Sequence, residues 1–178
     1  MDGKSLRLAN KYAQAFLNWQ GDQFDESNFW SVLHARQFLV VHPSIANYLS
    51  WPTVGMRVKL IKIFLERFSL PVGCIKLLDV LYRHRRMHLL QHVLHCLIEQ
   101  YLIKNRQAYF ELESYPALTQ DQTTKLIYSL ESRLGLKILY REWVNPELIA
   151  GLRMSSTQWR WEDSISGKLR AIQKELIR

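Results

Sequence analysis

A chain of 178 residues, 48% of them apolar, can bury one good core or two small ones. Its two cysteines are too few for a disulfide framework, and their apolar neighbours predict buried thiols in a reducing compartment. The N-terminus lacks the apolar core of a signal peptide, and no run approaches the ~20 apolar residues of a membrane span, so we expect a soluble protein.

Positive charge is concentrated in the first part of the chain. The formal net charge is +8; residues 1–105 hold 13 basic and 7 acidic side chains, whereas residues 106–178 hold 11 and 9. Such an excess attracts acidic partners or a membrane surface, but it says little about the fold. Nucleic acid is an alternative partner for a chain with this charge.

Six helices are predicted between Leu6 and about Asn105, because apolar residues recur every three or four positions between breaks that contain Gly or Pro. Pro43 suits the first turn of a short third helix, and Thr53 can cap the fourth. The sixth has the widest apolar face, so we expect it in the middle of a bundle. The predicted apolar positions, in helix order, are Leu8, Tyr12, Ala13 and Phe16; Phe29 and Leu33; Ile45 and Leu49; Val54, Val58, Ile61 and Leu65; Ile75, Leu78 and Leu81; and Leu90, Val93, Leu94, Leu97 and Tyr101.

The pattern changes after residues 105–107, where we place a domain boundary. Residues 109–113 alternate as in a strand, Thr119 and Gln122 form a capping box that opens a helix, and Gly135 is a natural helix stop. Residues 136–143 then predict a second strand. The expected fold is therefore mainly α, with an N-terminal six-helix bundle over residues 1–105 and a small α/β domain over residues 106–178.

The last 35 or so residues predict a turn, two strands and a helix. Asn145-Pro146 turns the chain, and residues 149–155 alternate as a strand. A short return strand follows, with Trp159 and Trp161 on one face. Asp163 or Ser164 can cap the final helix. The apolar stripe of that helix consists of Ile165, Leu169, Ile172 and Leu176.

Four histidines invite a metal-site interpretation. His84, His88, His92 and His95 fall at helical spacing and are predicted to share one face of the sixth helix, which Glu99 continues. Histidines four apart can share a metal ion, but no HExxH motif or cysteine pair accompanies them. A solvated or partner-facing polar face is therefore favoured, and we expect no metal and no cofactor.

Two further functional hypotheses have weak support. The run Arg83-His84-Arg85-Arg86 suits phosphate or RNA, but no RNP, KH or helix-turn-helix signature accompanies it. We expect Arg86 to hydrogen-bond carbonyls or a carboxylate inside the bundle. Phosphate-binding and nucleophile-elbow motifs are absent from the sequence, and the carboxylates are predicted to lie scattered over exposed faces, so an enzyme is the least supported class.

Several motifs together resemble the delta subunit of F-type ATP synthases, called the oligomycin-sensitivity-conferring protein in mitochondria. Residues 145–151, Asn-Pro-Glu-Leu-Ile-Ala-Gly, are similar to the family pattern Asp-Pro-x-Leu-Ile-Gly-Gly, and residues 162–164, Glu-Asp-Ser, stand where Asp-Gly-Ser is usual. Residues 9–16 resemble the family's opening Ala-x-x-Tyr-Ala-x-Ala-Leu. Residues 81–86 stand where Leu-x-x-Asn-x-Arg is usual, which places Arg86 on the family's arginine. The positions we assign to structural motifs are Arg86, Pro146, Gly151 and Ser164.

The resemblance implies a non-catalytic stator subunit that links the catalytic head to the peripheral stalk and resists rotary torque. It implies that the bundle, mainly its first and fifth helices, binds an alpha-subunit N-terminal segment, and that the C-terminal domain binds the b subunits. One copy per complex is implied, at the cytoplasmic face of a bacterial inner membrane more than in an organelle. The alternative is a basic helical nucleic-acid-binding or adaptor protein.

Two sets of residues are candidates for these interfaces. Tyr12, Ala13 and Phe16 suit either the bundle core or a groove for a partner helix. Leu169, Ile172 and Leu176 suit either a stalk interface or the core of their own domain. The full alpha-subunit set is Tyr12, Ala13, Phe16, Ile75 and Tyr82, and the b-subunit set is Leu169, Ile172 and Leu176.

Overall fold

The computed structural model describes residues 3–45, 54–157 and 160–176. The chain divides into two compact units, Met1–Tyr101 and Leu102–Arg178. The fold is mainly helical with one four-stranded sheet, which lies in the second unit. The sequence-based boundary at residues 105–107 falls a few residues beyond the division between these units.

The described part of the first unit contains five α-helices and a helical turn at residues 43–45. That turn begins at Pro43, where a short third helix is predicted; the positions of Leu49 and Thr53 lie outside the described residues, as do the side chains of Val54 and Val58. The helices are α1 (Gly3–Gln20), α2 (Glu26–Val41), α3 (Val54–Arg67), α4 (Gly73–Arg83) and α5 (Leu90–Lys104), with 3-10 turns at Gly21–Gln23 and Met87–Leu89.

Aromatic side chains fill the centre of the first unit. Phe29 is fully buried; its ring stacks on Tyr101 at a centroid distance of 5.3 Å, and Phe24 meets the same tyrosine edge-on at 5.3 Å. Helix α5 has more buried side chains than the other described helices, which agrees with its wide apolar face. Asp25 caps α2 by accepting a hydrogen bond from the Asn28 N–H at 2.9 Å.

The sheet of the second unit has the strand order β2-β1-β3-β4. Its strands are β1 (Gln107–Tyr115), β2 (Lys137–Val144), β3 (Gly151–Ser155) and β4 (Arg160–Ser164). Strands β1 and β2 are parallel, so the chain crosses between them through helix α6 (Gln120–Leu134), whereas β3 and β4 join antiparallel. Helix α7 (Ile165–Leu176) follows β4 directly.

Helix α6 begins and ends where the sequence predicts. The Thr119 and Gln122 side chains each accept the other's backbone N–H, so the capping box is confirmed. Gly135 ends the helix in the left-handed conformation at φ 66°. Leu126, Ile127 and Leu130 then pack on one face of the sheet, against a core of Phe110, Leu112, Ile138 and Met154.

The predicted strand over residues 149–155 is wrong at its start. Ile149 has φ 64° and ψ −54°, and the Ala150 N–H donates to the Leu148 carbonyl at 2.7 Å, which is a γ-turn. The strand therefore begins only at Gly151, after the 3-10 turn Pro146–Leu148. Trp159, predicted to share a face with Trp161, lies outside the described residues.

Candidate docking surfaces

Three charged residues form a row across the sheet of the second unit. Glu113 on β1, Arg153 on β3 and Glu162 on β4 are direct neighbours in the strand register. Arg153 Nη1 lies 2.9 Å from Glu113 Oε2, and Arg153 Nε lies 3.1 Å from Glu162 Oε2. Their side chains are only 13%, 10% and 17% exposed in strand order. We call Glu113, Arg153 and Glu162 the buried charge row.

The remaining polar capacity of the buried charge row is used by its neighbours. Asn145 Nδ2 donates to Glu113 at 2.6 Å, while its Oδ1 accepts the Glu147 N–H at 3.0 Å and so caps the Pro146–Leu148 turn. An aspartate at this position, as in the pattern that the sequence resembles, would set a second carboxylate against Glu113. Asparagine supplies the donor that this carboxylate needs.

Glu162 connects the buried charge row to helix α7. Ser164 Oγ donates to Glu162 Oε1 at 2.6 Å and accepts the Gly167 N–H at 3.0 Å, so Ser164, of the two candidates, caps the helix. Arg170 also donates to Glu162. The hydrogen bond from Arg153, followed by the one from Ser164, lowers the pKa of Glu162 from 4.5 to about 2. The hydrogen bond to Glu162, together with the charge of Glu113, raises the pKa of Arg153.

The buried charge row corrects the expectation that the carboxylates lie scattered over exposed faces. Two of them are largely covered, with 13% and 17% of their side chains exposed, and share one buried guanidinium, whose planar fork suits bidentate pairing. Because each carboxylate is already ion-paired and hydrogen-bonded, the arrangement stabilises a sheet register and offers no reactive group.

Gly151 is the first residue of β3 and lies opposite Ser164, the last residue of β4. Its backbone conformation requires glycine. Its φ is +120°, and a Cβ added there would lie 2.2 Å from the Asp163 carbonyl oxygen. The preceding residue, Ala150, donates its N–H to the Leu148 carbonyl and accepts the Ile165 N–H.

Helix α7 presents an apolar stripe to solvent. Ile165, Leu169 and Ile172 are 45%, 52% and 53% exposed. Of the two hypotheses for Leu169 and Ile172, packing in the core of their own unit is therefore wrong; the side chain of Leu176 is not among those described. Exposed large apolar side chains at helical spacing are typical of a surface that binds another protein.

The candidate residues on helix α1 differ in how deeply they are buried. Ala13 and Phe16 are buried in the unit's core, whereas Tyr12 is half-buried. The Tyr12 hydroxyl accepts a hydrogen bond from Arg86 Nη1 at 2.7 Å. The expected carbonyl or carboxylate partner of Arg86 is therefore replaced by a phenol.

Helices α1 and α4 touch at one end. A Cβ added to Gly73 would lie 2.2 Å from Gln20 Oε1 and 2.9 Å from the Trp19 ring, and Lys76 Nζ lies 4.6 Å from the centre of that ring. On α4, Ile75 is exposed, unlike Leu78 and Leu81 of the same predicted apolar set, and Tyr82 is half-buried.

The four histidines do not share a helix face, which corrects the predicted stripe. Helix α5 begins at Leu90, so His84 lies at the end of α4 and His88 in a 3-10 turn; only His92 and His95 lie on α5. His95 Nε2 lies 3.6 Å from Glu99, and burial lowers the pKa of His95 while that carboxylate opposes the shift. Within residues 3–45, 54–157 and 160–176, no three His, Cys, Asp or Glu residues form a group suited to a metal ion.

The arginine run and the cysteines are occupied by local contacts. Arg83 pairs with Asp79 at 2.7 Å and Arg86 with Tyr12, so this run is less suited to phosphate than its sequence indicates. Cys74 and Cys96 are buried free thiols, as predicted, and burial raises the pKa of Cys74 to about 12. No helix in the described part of the chain is long and apolar enough to cross a bilayer.

Exposed apolar helix faces, together with charged side chains that are paired with one another, are typical of a protein that binds other proteins. The comparisons with known proteins give the family. The family model for the ATP synthase delta (OSCP) subunit matches residues 8–176. The chain belongs to this family and is a non-catalytic stator subunit of an F-type ATP synthase, a peripheral part of a membrane-associated complex. The nucleic-acid alternative is not favoured.

Two similar proteins agree with this assignment. ATP synthase subunit delta of Hamiltonella defensa subsp. Acyrthosiphon pisum (strain 5AT) is 22% identical over 175 residues, which cover 96% of this chain and 97% of that protein. A chain in the cryo-EM structure of the Toxoplasma gondii mitochondrial ATP synthase hexamer superposes with a TM-score of 0.59 at 14% identity. The match covers 96% of this chain and 98% of the other, and it supports the fold.

Proposed function

We propose that this subunit joins the catalytic head to the peripheral stalk through two separate docking surfaces. The helical unit would bind the N-terminal segment of an alpha subunit, and the second unit would bind the C-terminal helices of the b subunits. The observation that carries the proposal is the exposed stripe of Ile165, Leu169 and Ile172 on α7. In the described part of the second unit, no helix or strand covers this apolar helix face.

For the head, we propose that Ile75 makes the direct apolar contact, with Tyr12 and Tyr82 at its side. The exposed position of Ile75 supports this role. Ala13 and Phe16 would contribute from inside, because they are buried and set the position of α1. The Arg86–Tyr12 hydrogen bond would hold the tyrosine ring in place.

The mechanical task explains why such surfaces suffice. While the central shaft turns, the head experiences torque, and a stator link must dissociate far more slowly than the motor turns over. Slow dissociation comes from large buried apolar anchors, not from reactive groups. We further propose a six-helix bundle in the first unit, one copy per complex, and a location at the cytoplasmic face of a bacterial inner membrane.

Co-purification tests the proposal with identified subunits. A tagged chain produced in its own cells should retain both alpha and b subunits. Ile172→Asp places a charge in the α7 stripe. It should weaken binding of the b subunits by roughly 2 kcal/mol or more, as expected for a central anchor, so that b is lost on purification while alpha is retained. Gln173→Asp, next to it and also exposed, is the matched control and should retain both.

Each result of the co-purification bears on one of the two docking surfaces. Loss of b in both variants would show that any acid on α7 disrupts binding, so the stripe would not be the surface. Retention of b in Ile172→Asp would remove the stalk assignment, and absence of alpha from the unmodified chain would remove the head assignment.

A further inference from the structure

Helices α3 and α4 border an open apolar groove whose base reaches the buried side chain of Leu65. Ile61 and Leu65 line it from α3, and Ile75 and Val80 line it from α4. Its volume is about 590 Å³. The groove is open to solvent, because Ile75 and Val80 are 47% and 40% exposed. Apolar side chains on facing helices that leave this much surface uncovered can accept the apolar face of a third helix.

The edges of this α3–α4 groove are positively charged. Among the described residues, Lys62, Lys76 and Arg83 line it together with one carboxylate, Asp79, so this part of the lining carries two positive charges in excess. Asp79 pairs with Arg83 at 2.7 Å, and Lys62 lies 3.8 Å from Glu66. These pairs are exposed i,i+4 contacts, which are weak and can yield to a better-placed partner.

The length of the groove sets the size of its occupant. From Ile75 to Arg83 the helix advances eight residues, or ~12 Å at the usual rise, which corresponds to about two turns of a partner helix. A helix of that length presents anchors at positions i, i+3 or i+4, and i+7. Carboxylates on either side of such a stripe would meet Lys62 and Lys76 on the two edges.

We propose that the α3–α4 groove binds an amphipathic helix of a partner subunit, with apolar anchors flanked by carboxylates. The inference rests on the proposed function, since the partner is taken from the same synthase. It adds a site that the α1–α4 candidates do not include: only Ile75 belongs to both sets, whereas Leu65 and Val80 belong to the groove alone.

A designed peptide tests the chemistry of the groove on the full chain. The probe is a fluorescent, helix-stabilised peptide of about 14 residues with leucines along one face and glutamates on both flanks. Its twin carries lysines in place of the glutamates. Fluorescence anisotropy should show the glutamate peptide binding at least ~5-fold more tightly than the lysine peptide, and the difference should shrink as salt is added.

Two substitutions locate the binding site. Val80→Asp puts a charge on the groove floor at an exposed position, so the fold should survive while affinity for the glutamate peptide falls at least ~30-fold. Ile63→Asp is the matched control: Ile63 is 60% exposed on α3 and does not line the groove, and affinity should stay unchanged. Equal binding of both peptides, or an unchanged affinity in Val80→Asp, would overturn the inference.

The isolated catalytic head then separates this inference from the proposed function. If the head binds the unmodified chain and binds Val80→Asp more weakly, the groove serves a head segment. If the head binds both equally, the head assignment stands and the helix that occupies the groove does not come from the head. If the head binds neither, the proposed function fails in its head assignment, and the peptide result alone decides whether the groove binds acidic helices.

Discussion

The two units bury different kinds of group at their centres. In the first, the ring centroids of Phe24 and Phe29 each lie 5.3 Å from that of Tyr101, and the other buried side chains are mostly aliphatic. In the second, the apolar core around Leu112 is small, and the opposite face of the sheet holds the buried charge row. One unit is stabilised mainly by removal of apolar surface from water, and the other also by a satisfied ionic network.

This difference shows how a small sheet can be held in one register. Strands β3 and β4 have five residues each, so few apolar contacts distinguish the correct pairing from a slipped one. A shift by one residue would turn Arg153 to the other face and leave Glu113 and Glu162 unpaired in a buried place. We infer that the buried charge row contributes specificity of pairing more than net stability.

Phe29→Ala should have the largest effect and should be confined to the first unit. The ring is fully buried, and its removal leaves a cavity beside Tyr101, so the free energy of unfolding should fall by about 4 kcal/mol. Amide hydrogen exchange read by mass spectrometry reports each unit separately. Exchange should accelerate in peptides of residues 3–45 and 54–101, and equal acceleration in the sheet would mean that the units do not unfold independently.

Arg153→Ala should act in the opposite unit with a slightly smaller effect. It leaves two largely covered carboxylates without their shared cation, and we expect the free energy of unfolding to fall by about 3 kcal/mol, at the lower end of the usual range because both carboxylates keep some exposure and Glu162 keeps Ser164 and Arg170. Exchange should accelerate in residues 107–157 and stay unchanged in α2 and α5.

Arg160→Ala is the matched control for that prediction. Arg160 also lies beside Glu162, at 3.8 Å, but it is 55% exposed, so its removal should cost less than about 0.5 kcal/mol. If Arg160→Ala and Arg153→Ala destabilise equally, net charge near Glu162 would matter more than burial of the pair.

Helix positions were largely predictable because their signals are local. The Thr119 capping box, the Gly135 stop and the wide apolar face of α5 each depend on residues within a few positions of one another. The predicted histidine stripe failed for a reason that no Gly or Pro marks: Arg85 adopts φ 55°, and its N–H and that of Arg86 bond back to the Tyr82 and Leu81 carbonyls. This closes α4 and separates His84 from α5.

The buried charge row was beyond prediction from sequence pattern. Glu113 and Arg153 are 40 residues apart, and only the strand order and register make them neighbours. In sequence each sits in an alternating run where a charge is expected to face water. Likewise, Ile75 has the spacing of a core residue, and only the packing of α4 shows that it lies in an open groove. The spacing of α7 predicted its stripe but not that the stripe stays exposed.

A pH titration of stability gives the smallest but most specific contrast between the units. The folded-state pKa of Glu162 is about 2, below its ordinary value of 4.5, because Arg153 and Ser164 bond to the carboxylate. Between these values the unfolded state binds more protons than the folded state, so the stability from this group is complete above about pH 5 and is lost as pH falls toward 2. We expect Glu162 to contribute about 2 kcal/mol to the free energy of unfolding at neutral pH. This is less than the free energy equivalent to the whole pKa shift, because the side chain is partly exposed to water.

Glu162→Gln isolates this contribution. The variant should be less stable than the unmodified chain at pH 7, and the difference in the second unit's free energy of unfolding should narrow between pH 5 and 3 in denaturant titrations. Glu175→Gln, an exposed carboxylate on α7, should leave the curve unchanged. A difference that stays constant with pH would show that Glu162 stabilises the sheet by its shape and hydrogen bonds alone, and the contrast between an apolar and an ionic unit would then lose its electrostatic basis.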